Sequence, residues 1–200
     1  MALYFAKVRI KGTKPLLIHV FREDTLSLER RERTGVAGND PEEWKRTYTA
    51  DENKQLYLSP SYIFGCMRVA SKHTKDGRSS IQSKLSATLQ VLTNRIYFDR
   101  YMPDEITQNE QEPVYLDVRG VKNPNTHGRN VRYRVALSPG WETEFNIIWD
   151  NTVVANPLIK TVMSDAGTLV GLADGRSIGF GRFEVISFDV KKYEELKKDA

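Results

Sequence analysis

Hydrophobic and polar residues alternate near the start of the chain. Tyr4, Ala6, Val8 and Ile10 alternate with Phe5, Lys7, Arg9 and Lys11. Apolar side chains at every second position are typical of a half-buried strand. The pattern breaks at 12–15 and resumes as an apolar, extended segment over 16–21. The second face of the first strand is mostly basic, so either solvent or a partner would cover it.

Two segments carry apolar residues at helical spacing. Ser59-Pro60 predicts a helix start, with Ser59 as the cap and Pro60 at the first helical position. Asn156-Pro157 predicts a second start of the same kind, with Asn156 as the cap. Apolar residues then recur at helical spacing within 63–70 and within 158–170. A shorter helical piece is predicted from Ile81 to Leu92.

The stretch from 131 to 149 predicts a β-hairpin. Apolar residues alternate with polar ones from Val131 to Leu137 and again from Trp141 to Trp149. Ser138-Pro139-Gly140, between these two runs, has the composition of a turn. The segments 96–101, 114–121 and 183–190 also have the composition of strands.

The order of these elements predicts an α+β fold of the ferredoxin-like, RNA-recognition-like type. With 22–55 and 96–128 set aside as inserted arms or loops, the order is βαββαβ. Two helices then cover one face of a four-stranded antiparallel sheet. The 131–149 hairpin supplies the second and third strands in chain order. We expect a single domain over 1–200. Because the usual aromatic signature of RNA-recognition domains is absent, the fold alone assigns no function.

The composition is that of a globular protein with a modest positive charge. Its net charge of +4 is compatible with a nucleic-acid partner. The single cysteine, Cys66, excludes an internal disulfide and a cysteine-based zinc site, and its apolar, helix-like surroundings predict an inert core thiol. No stretch approaches eighteen apolar residues and no signal-peptide pattern opens the chain, so we expect a cytoplasmic protein without a membrane span.

A glycine-rich loop between the last predicted helix and the last predicted strand is the main candidate for a binding element. Residues 171–183 read G-L-A-D-G-R-S-I-G-F-G-R-F. Glycine permits φ > 0 and close approach of another backbone, loop amides can converge on an anion, and arginine adds forked donors. A connector between a helix and a strand has the same composition, and shape alone favours that interpretation. We expect Phe180 to turn inward and leave the neighbouring glycines exposed.

Basic residues concentrate in two further segments. One follows the first helix, and the other runs from 119 to 134 with no acidic residue. Such segments are either solvated faces or contacts to phosphate. The predicted RNA-binding residues are Arg68, Lys72, His73, Lys75, Arg78, Arg119, Lys122, His127, Arg129, Arg132, Gly175, Arg176, Gly179, Gly181 and Arg182.

Three short segments resemble the CRISPR-associated RAMP superfamily. The loop at 171–183 is similar to the glycine-rich loop of that family, in the same place between the last helix and the last strand. The segment 57–68 is similar to a helix start of the family, although Ser61 stands where the family has glycine. The opening strand and 15–19 are also similar in character. The stretches 22–55 and 96–128 match no part of the family.

Within that superfamily the chain resembles the backbone subunit of effector complexes, Cas family seven. The resemblance implies a ferredoxin-like protein that holds the sugar-phosphate backbone of a guide RNA and polymerises along it. The implied partners are guide RNA, copies of the same chain, other effector-complex subunits and a target that is DNA or RNA. The resemblance implies no cofactor.

A nuclease of the same superfamily is the alternative to a binding protein. Some backbone subunits cut target RNA with an aspartate in a loop after the first strands, and the candidates here are Asp24, Asp40 and Asp51. A lone acid in a polar loop is more often solvated. Metal-free cleavage of RNA would need a general base near the 2′-hydroxyl. His19 lies in an apolar strand and is expected to be structural, whereas His73 and His127 lie in basic segments where they could contact phosphate. No residue spacing indicates a metal site.

These observations favour a binding protein that contacts the sugar-phosphate chain without reading its sequence. An RNA-cleaving enzyme is the second hypothesis. A subunit whose basic loops bind acidic protein partners is the third.

Overall fold

The computed structural model describes residues 2–20, 41–122 and 128–196. The strands are β1 Leu3–Gly12, β2 Leu16–Ile18, β3 Gln55–Leu58, β4 Lys75–Asp76, β5 Ser79–Ser80, β6 Gln90–Val91, β7 Ile96–Tyr101, β8 Val114–Lys122, β9 Arg129–Leu137, β10 Glu142–Asp150 and β11 Phe183–Lys192. The helices are α1 Pro60–Ala70, α2 Gln82–Thr88, α3 Asn156–Asp165 and α4 Tyr193–Leu196, with 3₁₀ turns at Glu43–Arg46 and Arg176–Ile178 and a π-helical turn at Ala166–Val170.

The main sheet has the strand order β11–β1–β10–β7–β3, and β6 also pairs with β10. These pairings are antiparallel. Taken with α1 and α3, strands β1, β7, β10 and β11 form the predicted ferredoxin-like core. A second sheet has the order β2–β9–β8, and β4 pairs with β5 in a short hairpin.

The prediction that 131–149 forms a β-hairpin is wrong. Strand β9 pairs with β8 and β2, whereas β10 pairs with β1 over nine residue pairs from Leu3↔Asp150 to Lys11↔Glu142. The turn between them therefore connects two different sheets. At this turn the Gly140 amide donates to the Gly12 carbonyl at 2.8 Å, which ties it to the end of β1 instead of closing a hairpin.

The second core strand is β7 rather than β9. It pairs with both β10 and β3, although 96–101 lies inside the stretch predicted to be an arm. Strand β8, from the same stretch, belongs to the second sheet. The division of the chain into one domain and two arms stays a prediction.

The basic side of β1 is paired within the chain. Lys7 Nζ lies 2.9 Å from Glu144 Oε1, Arg9 Nη2 lies 2.5 Å from Glu142 Oε2, and Lys11 Nζ lies 3.2 Å from Glu142 Oε1. Hydrogen bonds from Arg9 and then from Lys11 hold the pKa of Glu142 below its usual value. Lys7, Arg9, Lys11 and Glu144 are about half exposed and Glu142 is 24% exposed, so the pairs add little stability, but the two glutamates offset most of the positive charge of this face.

The helix starts follow the predicted pattern with one exception. Ser59 caps α1, and its hydroxyl accepts a hydrogen bond from the Ser61 amide at 3.4 Å. Ala155, not Asn156, occupies the cap position of α3. The Asn156 amide instead donates to Asn151 Oδ1 at 2.9 Å, so an asparagine five residues earlier satisfies the start of this helix.

Helices and sheet meet in a core centred on two tryptophans. Trp141 and Trp149 are fully buried, and the Trp141 ring packs edge-on against Phe98 and Phe183. The Trp141 indole Nε1 donates to the Lys14 carbonyl at 3.0 Å, which anchors the chain just beyond β1. The sheet and the β1–β2 connection are therefore held together by the same side chain.

Replacing Trp141 with alanine should lower the free energy of unfolding by about 3–5 kcal/mol, because it removes a buried ring and leaves a cavity. Urea unfolding followed by far-UV circular dichroism measures this difference. Replacing the exposed Leu169 with alanine is the control, and it should change stability by no more than about 0.5 kcal/mol. Equal stabilities of the two variants would show that Trp141 does not anchor the core.

Candidate nucleic-acid interface

The glycine loop begins where the helical chain ends. The π-helical turn at Ala166–Val170 lies against β11 so closely that a Cβ on Gly167 would stand 2.1 Å from the Phe183 carbonyl oxygen. The chain then reverses through four glycines with positive φ. These are Gly171 (+86°), Gly175 (+70°), Gly179 (+93°) and Gly181 (+67°). Glycine therefore stands at these four positions for a conformational reason, because residues with an L side chain rarely adopt such φ angles.

Backbone hydrogen bonds fix the loop to the β1–β2 region. The Gly181 amide donates to the Pro15 carbonyl at 2.7 Å, and the Asp174 amide donates to the Leu17 carbonyl at 3.0 Å. The Gly179 amide donates to the Arg176 carbonyl at 3.1 Å. Because the amides of Gly179 and Gly181 are engaged, neither glycine offers a free amide donor to an anion.

The glycines divide into two groups by the space around them. A Cβ on Gly181 would stand 1.9 Å from the Leu172 carbonyl oxygen, and a Cβ on Gly171 would stand 2.5 Å from the Phe180 carbonyl oxygen. At Gly179 no heavy atom of the described residues lies within 4 Å of that position. Gly171 and Gly181 therefore serve the packing of the loop, whereas Gly179 faces open space.

An open cleft of about 550 Å³ lies between this loop and the chain around α1. It is lined by Val69, His73, Leu169, Val170, Asp174, Arg176, Ser177 and Arg182. The Arg182 Nη1 atom is buried and has no hydrogen-bond partner among the described residues. A buried guanidinium nitrogen without a partner is costly, so this atom is a donor whose acceptor the described chain does not supply.

Asp174 is the acidic residue of the cleft, and a cation from the second sheet engages it. Arg134 Nε lies 2.7 Å from Asp174 Oδ2. The Arg134 side chain is largely buried, while the Asp174 side chain is 38% exposed. Arg134 of β9 offsets the negative charge of Asp174. Asp174 therefore reduces the positive potential of Arg176 and Arg182 less than an unpaired carboxylate would.

The second sheet also contacts the far side of the glycine loop. Phe180 packs on the buried cluster of Leu17, Tyr115 and Ala136, so it turns inward as predicted. The expectation that both neighbouring glycines are exposed is wrong for Gly181, which is buried against the Leu172 backbone. The Arg119 guanidinium lies 4.4 Å from the centroid of the Phe180 ring. Its Nε also donates to Asp117 Oδ2 at 2.6 Å. This hydrogen bond raises the pKa of Arg119, and the buried Asp117 carboxylate offsets its charge, so Arg119 supports the loop more than it offers a free cation.

The structure brings together part of the predicted RNA-binding set. His73, Arg176 and Arg182 line one cleft, with Gly175, Gly179 and Gly181 in the adjoining loop. The exposed Arg68, Lys72, Lys75 and Arg78 are not part of its lining. Lys122 and Arg132 lie on β8 and β9, and Arg132 is opposite Arg119 in the register. Arg129 begins β9, and His127 lies outside the described residues.

The candidates for catalysis do not form a second site in the described chain. Asp51 Oδ1 accepts hydrogen bonds from the amides of Asn53 at 3.0 Å and Gln55 at 2.9 Å, so this carboxylate stabilises the turn before β3. Asp24 and Asp40 lie outside the described residues. The His19 carbonyl accepts from the Tyr62 hydroxyl at 3.3 Å.

The remaining ionisable groups give no sign of metal chemistry. Cys66 is buried and its Sγ lies 3.0 Å from the Gly171 carbonyl oxygen. The cysteine is therefore part of the core, as predicted, and burial raises the pKa of its thiol to about 12, which disfavours the reactive thiolate. Over 2–20, 41–122 and 128–196, no group of three or more His, Cys, Asp and Glu side chains could hold a metal ion. No helix in these ranges is long and apolar enough to cross a membrane.

The sequence interpretation missed the supporting pair of Asp174 and Arg134. Asp174 lies inside the glycine loop, and Arg134 belongs to the basic 119–134 segment. A lone acid among glycines and arginines was a usable signal, since such a carboxylate needs a cation. Its partner could not be identified because the two residues are 40 positions apart and lie on different elements.

Comparison with known proteins supports the fold. No protein-family model matches this chain, and no curated protein matches it. A chain in the cryo-EM structure described as "Type III-B Cmr-beta bound to cognate target RNA" superposes with a TM-score of 0.56 at 16% sequence identity. The match covers 96% of this chain but 61% of that one, so this chain spans less than two thirds of its neighbour. The predicted α+β, ferredoxin-like fold is confirmed.

The two groups of glycines should respond differently to alanine. At Gly181 the new Cβ meets the Leu172 backbone and φ is positive, so stability should fall by more than about 2 kcal/mol. At Gly179 only the conformational cost of about 1–2 kcal/mol remains. Urea unfolding of both variants gives the difference. A Gly181 variant as stable as the Gly179 variant would contradict the packing described here.

Proposed function

We propose that this protein binds the sugar-phosphate backbone of single-stranded RNA in the cleft beside the glycine loop. The observation that carries this proposal is the juxtaposition of Arg176, Arg182 and His73 in one open cleft, with Arg182 Nη1 buried and without a partner in the described chain. Guanidinium groups suit phosphate because they offer several donors in a plane. Phosphate contacts hold a strand without reading its sequence.

The glycine next to the cleft supports a close approach of the strand. Gly179 has φ +93° and open space where a side chain would begin. The Arg176–Ile178 turn ends at this glycine, so Arg176 and the open backbone belong to the same short segment. A phosphate could therefore approach the backbone here while Arg176 and Arg182 contact its oxygens.

The RNA is proposed to be a CRISPR guide, and the protein a backbone subunit of an effector ribonucleoprotein. This assignment rests on the RAMP-like segments at 57–68 and 171–183 and on the shared fold of the Cmr-beta neighbour, which is described as bound to target RNA. Copies of the chain, other effector-complex subunits and a nucleic-acid target are the proposed partners.

Binding has better support than cleavage. Asp51, the described aspartate among the catalytic candidates, already accepts two backbone amides. His73 lies in the cleft, but a general base also needs a positioned 2′-hydroxyl, which a phosphate contact alone does not supply. The arginines account for the cleft without a reaction.

Replacing Arg182 with alanine should weaken RNA binding by roughly tenfold to a hundredfold, because it removes a charge-assisted contact to phosphate. The parent should lose affinity steeply with salt, with a log–log slope of about −0.7 for each phosphate neutralised. Fluorescence anisotropy with a labelled single-stranded RNA measures both, and a gel shows whether the RNA stays intact.

Arg9→Gln is the matched control for the arginine variant. Arg9 is paired with Glu142 on the sheet, so removing its charge should leave RNA affinity nearly unchanged. Equal affinities for the parent and the Arg182 variant, with a flat response to salt, would exclude the cleft as a phosphate site. Loss of the RNA band would favour a nuclease.

Assembly along RNA is a separate expectation. A head-to-tail contact that does not close into a ring gives an open filament, so the particle mass should rise with RNA length. Multi-angle light scattering on RNAs of increasing length measures this, with RNA-free protein as the control. One copy per RNA at every length would contradict the backbone role while leaving RNA binding intact.

A further inference from the structure

The side of the main sheet away from α1 and α3 carries an aromatic cluster at its β3 edge. In β3, Leu56 and Leu58 are buried in the core, so Tyr57 lies on the opposite side of the sheet. Tyr57 is directly opposite Tyr97 of β7, and their ring centroids are 5.4 Å apart at an interplanar angle of 53°. The two rings form one partly exposed surface next to an edge strand.

Arg95 extends this aromatic surface. Its guanidinium carbon lies 4.9 Å from the centroid of the Tyr57 ring, and Nη1 donates to the Tyr97 hydroxyl at 3.3 Å. The residue is exposed. An exposed guanidinium held over a ring in this way is itself a planar group on which a nucleobase can stack.

Tyr101 continues the cluster along β7. It lies four residues after Tyr97 and is paired with Gln55, two residues before Tyr57, with an irregularity in the register between the two pairs. Its side chain is 56% exposed, an unusual degree for a tyrosine within a sheet. Tyr101 therefore adds a second exposed ring beyond the Tyr57–Tyr97 pair.

The charges around the cluster favour bases over phosphates. Tyr57, Arg95 and Tyr97 line an open cleft of about 580 Å³ that also contains Asp51 and Glu52. These carboxylates would repel a phosphate, but they can accept hydrogen bonds from the amino groups of a base. The cations of β1 on this sheet are already paired with Glu142 and Glu144, so they offer no track for a backbone.

We propose that Tyr57, Arg95 and Tyr97, extended by Tyr101, form a stacking site for the bases of a single-stranded nucleic acid. It is separate from the phosphate cleft beside the glycine loop, and it rests on the proposed function in that both sites bind the same class of polymer. Stacking tolerates any base, because every base has a π face. Through this site the protein would distinguish a strand that carries bases from a bare sugar-phosphate chain.

The experiment compares two RNAs of about 12 nucleotides, within the site sizes of single-strand binders, one an oligoadenylate and the other an abasic chain of equal length. Both carry the same phosphates. The parent should bind the oligoadenylate about fivefold to twentyfold more tightly, as expected for stacking of one base. Tyr57→Leu and Arg95→Gln should each reduce this ratio to about one or two without changing affinity for the abasic chain.

Two controls separate this inference from the proposed function. Arg9→Gln removes the same charge from the same sheet and should leave the ratio as in the parent. Arg182→Ala should weaken binding of both RNAs by a similar factor. Circular dichroism checks the fold of each variant, and Tyr101→Leu offers a second variant whose exposed side chain is not needed for folding.

The stacking site would be overturned, with phosphate binding still standing, by either of two results. The parent could bind the two RNAs with equal affinity, or the folded Tyr57→Leu and Arg95→Gln variants could keep the affinity ratio of the parent. Binding of the oligoadenylate that is insensitive to Arg182→Ala but lost in the tyrosine variant would support the stacking site and refute the cleft. Binding of neither RNA would overturn both, and the tyrosine surface would then suit a protein partner.

Discussion

The backbone contact between Gly181 and Leu172 is the constraint on which the candidate interface depends. The Leu172 amide donates to the Gly181 carbonyl at 2.8 Å, and a Cβ on Gly181 would stand 1.9 Å from the Leu172 carbonyl oxygen. Only glycine allows the two ends of the loop to meet at this distance. Because the loop is closed in this way, Arg176 and Arg182 extend from a fixed backbone, and an anion would not have to order the loop first.

The second sheet keeps this closed loop in place. Arg134 pairs with Asp174, and Phe180 packs under the Arg119 guanidinium. Burying an ion pair is expensive, so the Arg134–Asp174 contact is weak evidence for stability. The contact instead fixes the position of Asp174 and offsets its charge with a cation from a different element. The cleft is thus lined by α1 and the residues after it, the π-helical turn and the glycine loop, and the β2–β9–β8 sheet supports the loop from its far side.

Local patterns in the sequence predicted the elements well but not their partners. Ser59-Pro60 and the alternation in β1, β9 and β10 are local signals, so the strands and helices are near their predicted positions. The hairpin failed because a Ser-Pro-Gly turn fixes a change of direction and not the sheet to which the next strand belongs. A long-range signal was present in the charges, since Lys7, Arg9 and Lys11 of β1 complement Glu142 and Glu144 of β10.

The candidate site was predictable to the same degree. The glycines and arginines of the loop could be predicted as candidates from residue type alone, because positive φ favours glycine and phosphate contacts favour arginine. The hydrogen bonds donated by the Gly179 and Gly181 amides could not be predicted, since they depend on acceptors such as the Pro15 carbonyl, which is distant in the sequence. The tyrosine surface was missed for a similar reason, because Tyr57 and Tyr97 are 40 positions apart and become neighbours only through the register of β3 and β7.

The location of uncompensated charge, and not the net charge of the chain, decides which surface can hold a phosphate. The first strand is among the most basic segments in the sequence, yet its cations are paired across the sheet. Arg182 belongs to a segment with fewer cations, but its Nη1 lacks a partner among the described residues. Pairing in the folded state therefore reverses the ranking that a count of lysines and arginines would give. Glu142 and Glu144, opposite β1, offset two of the three positive charges on that face, whereas Arg182 beside the glycine loop keeps a donor without a partner among the described residues.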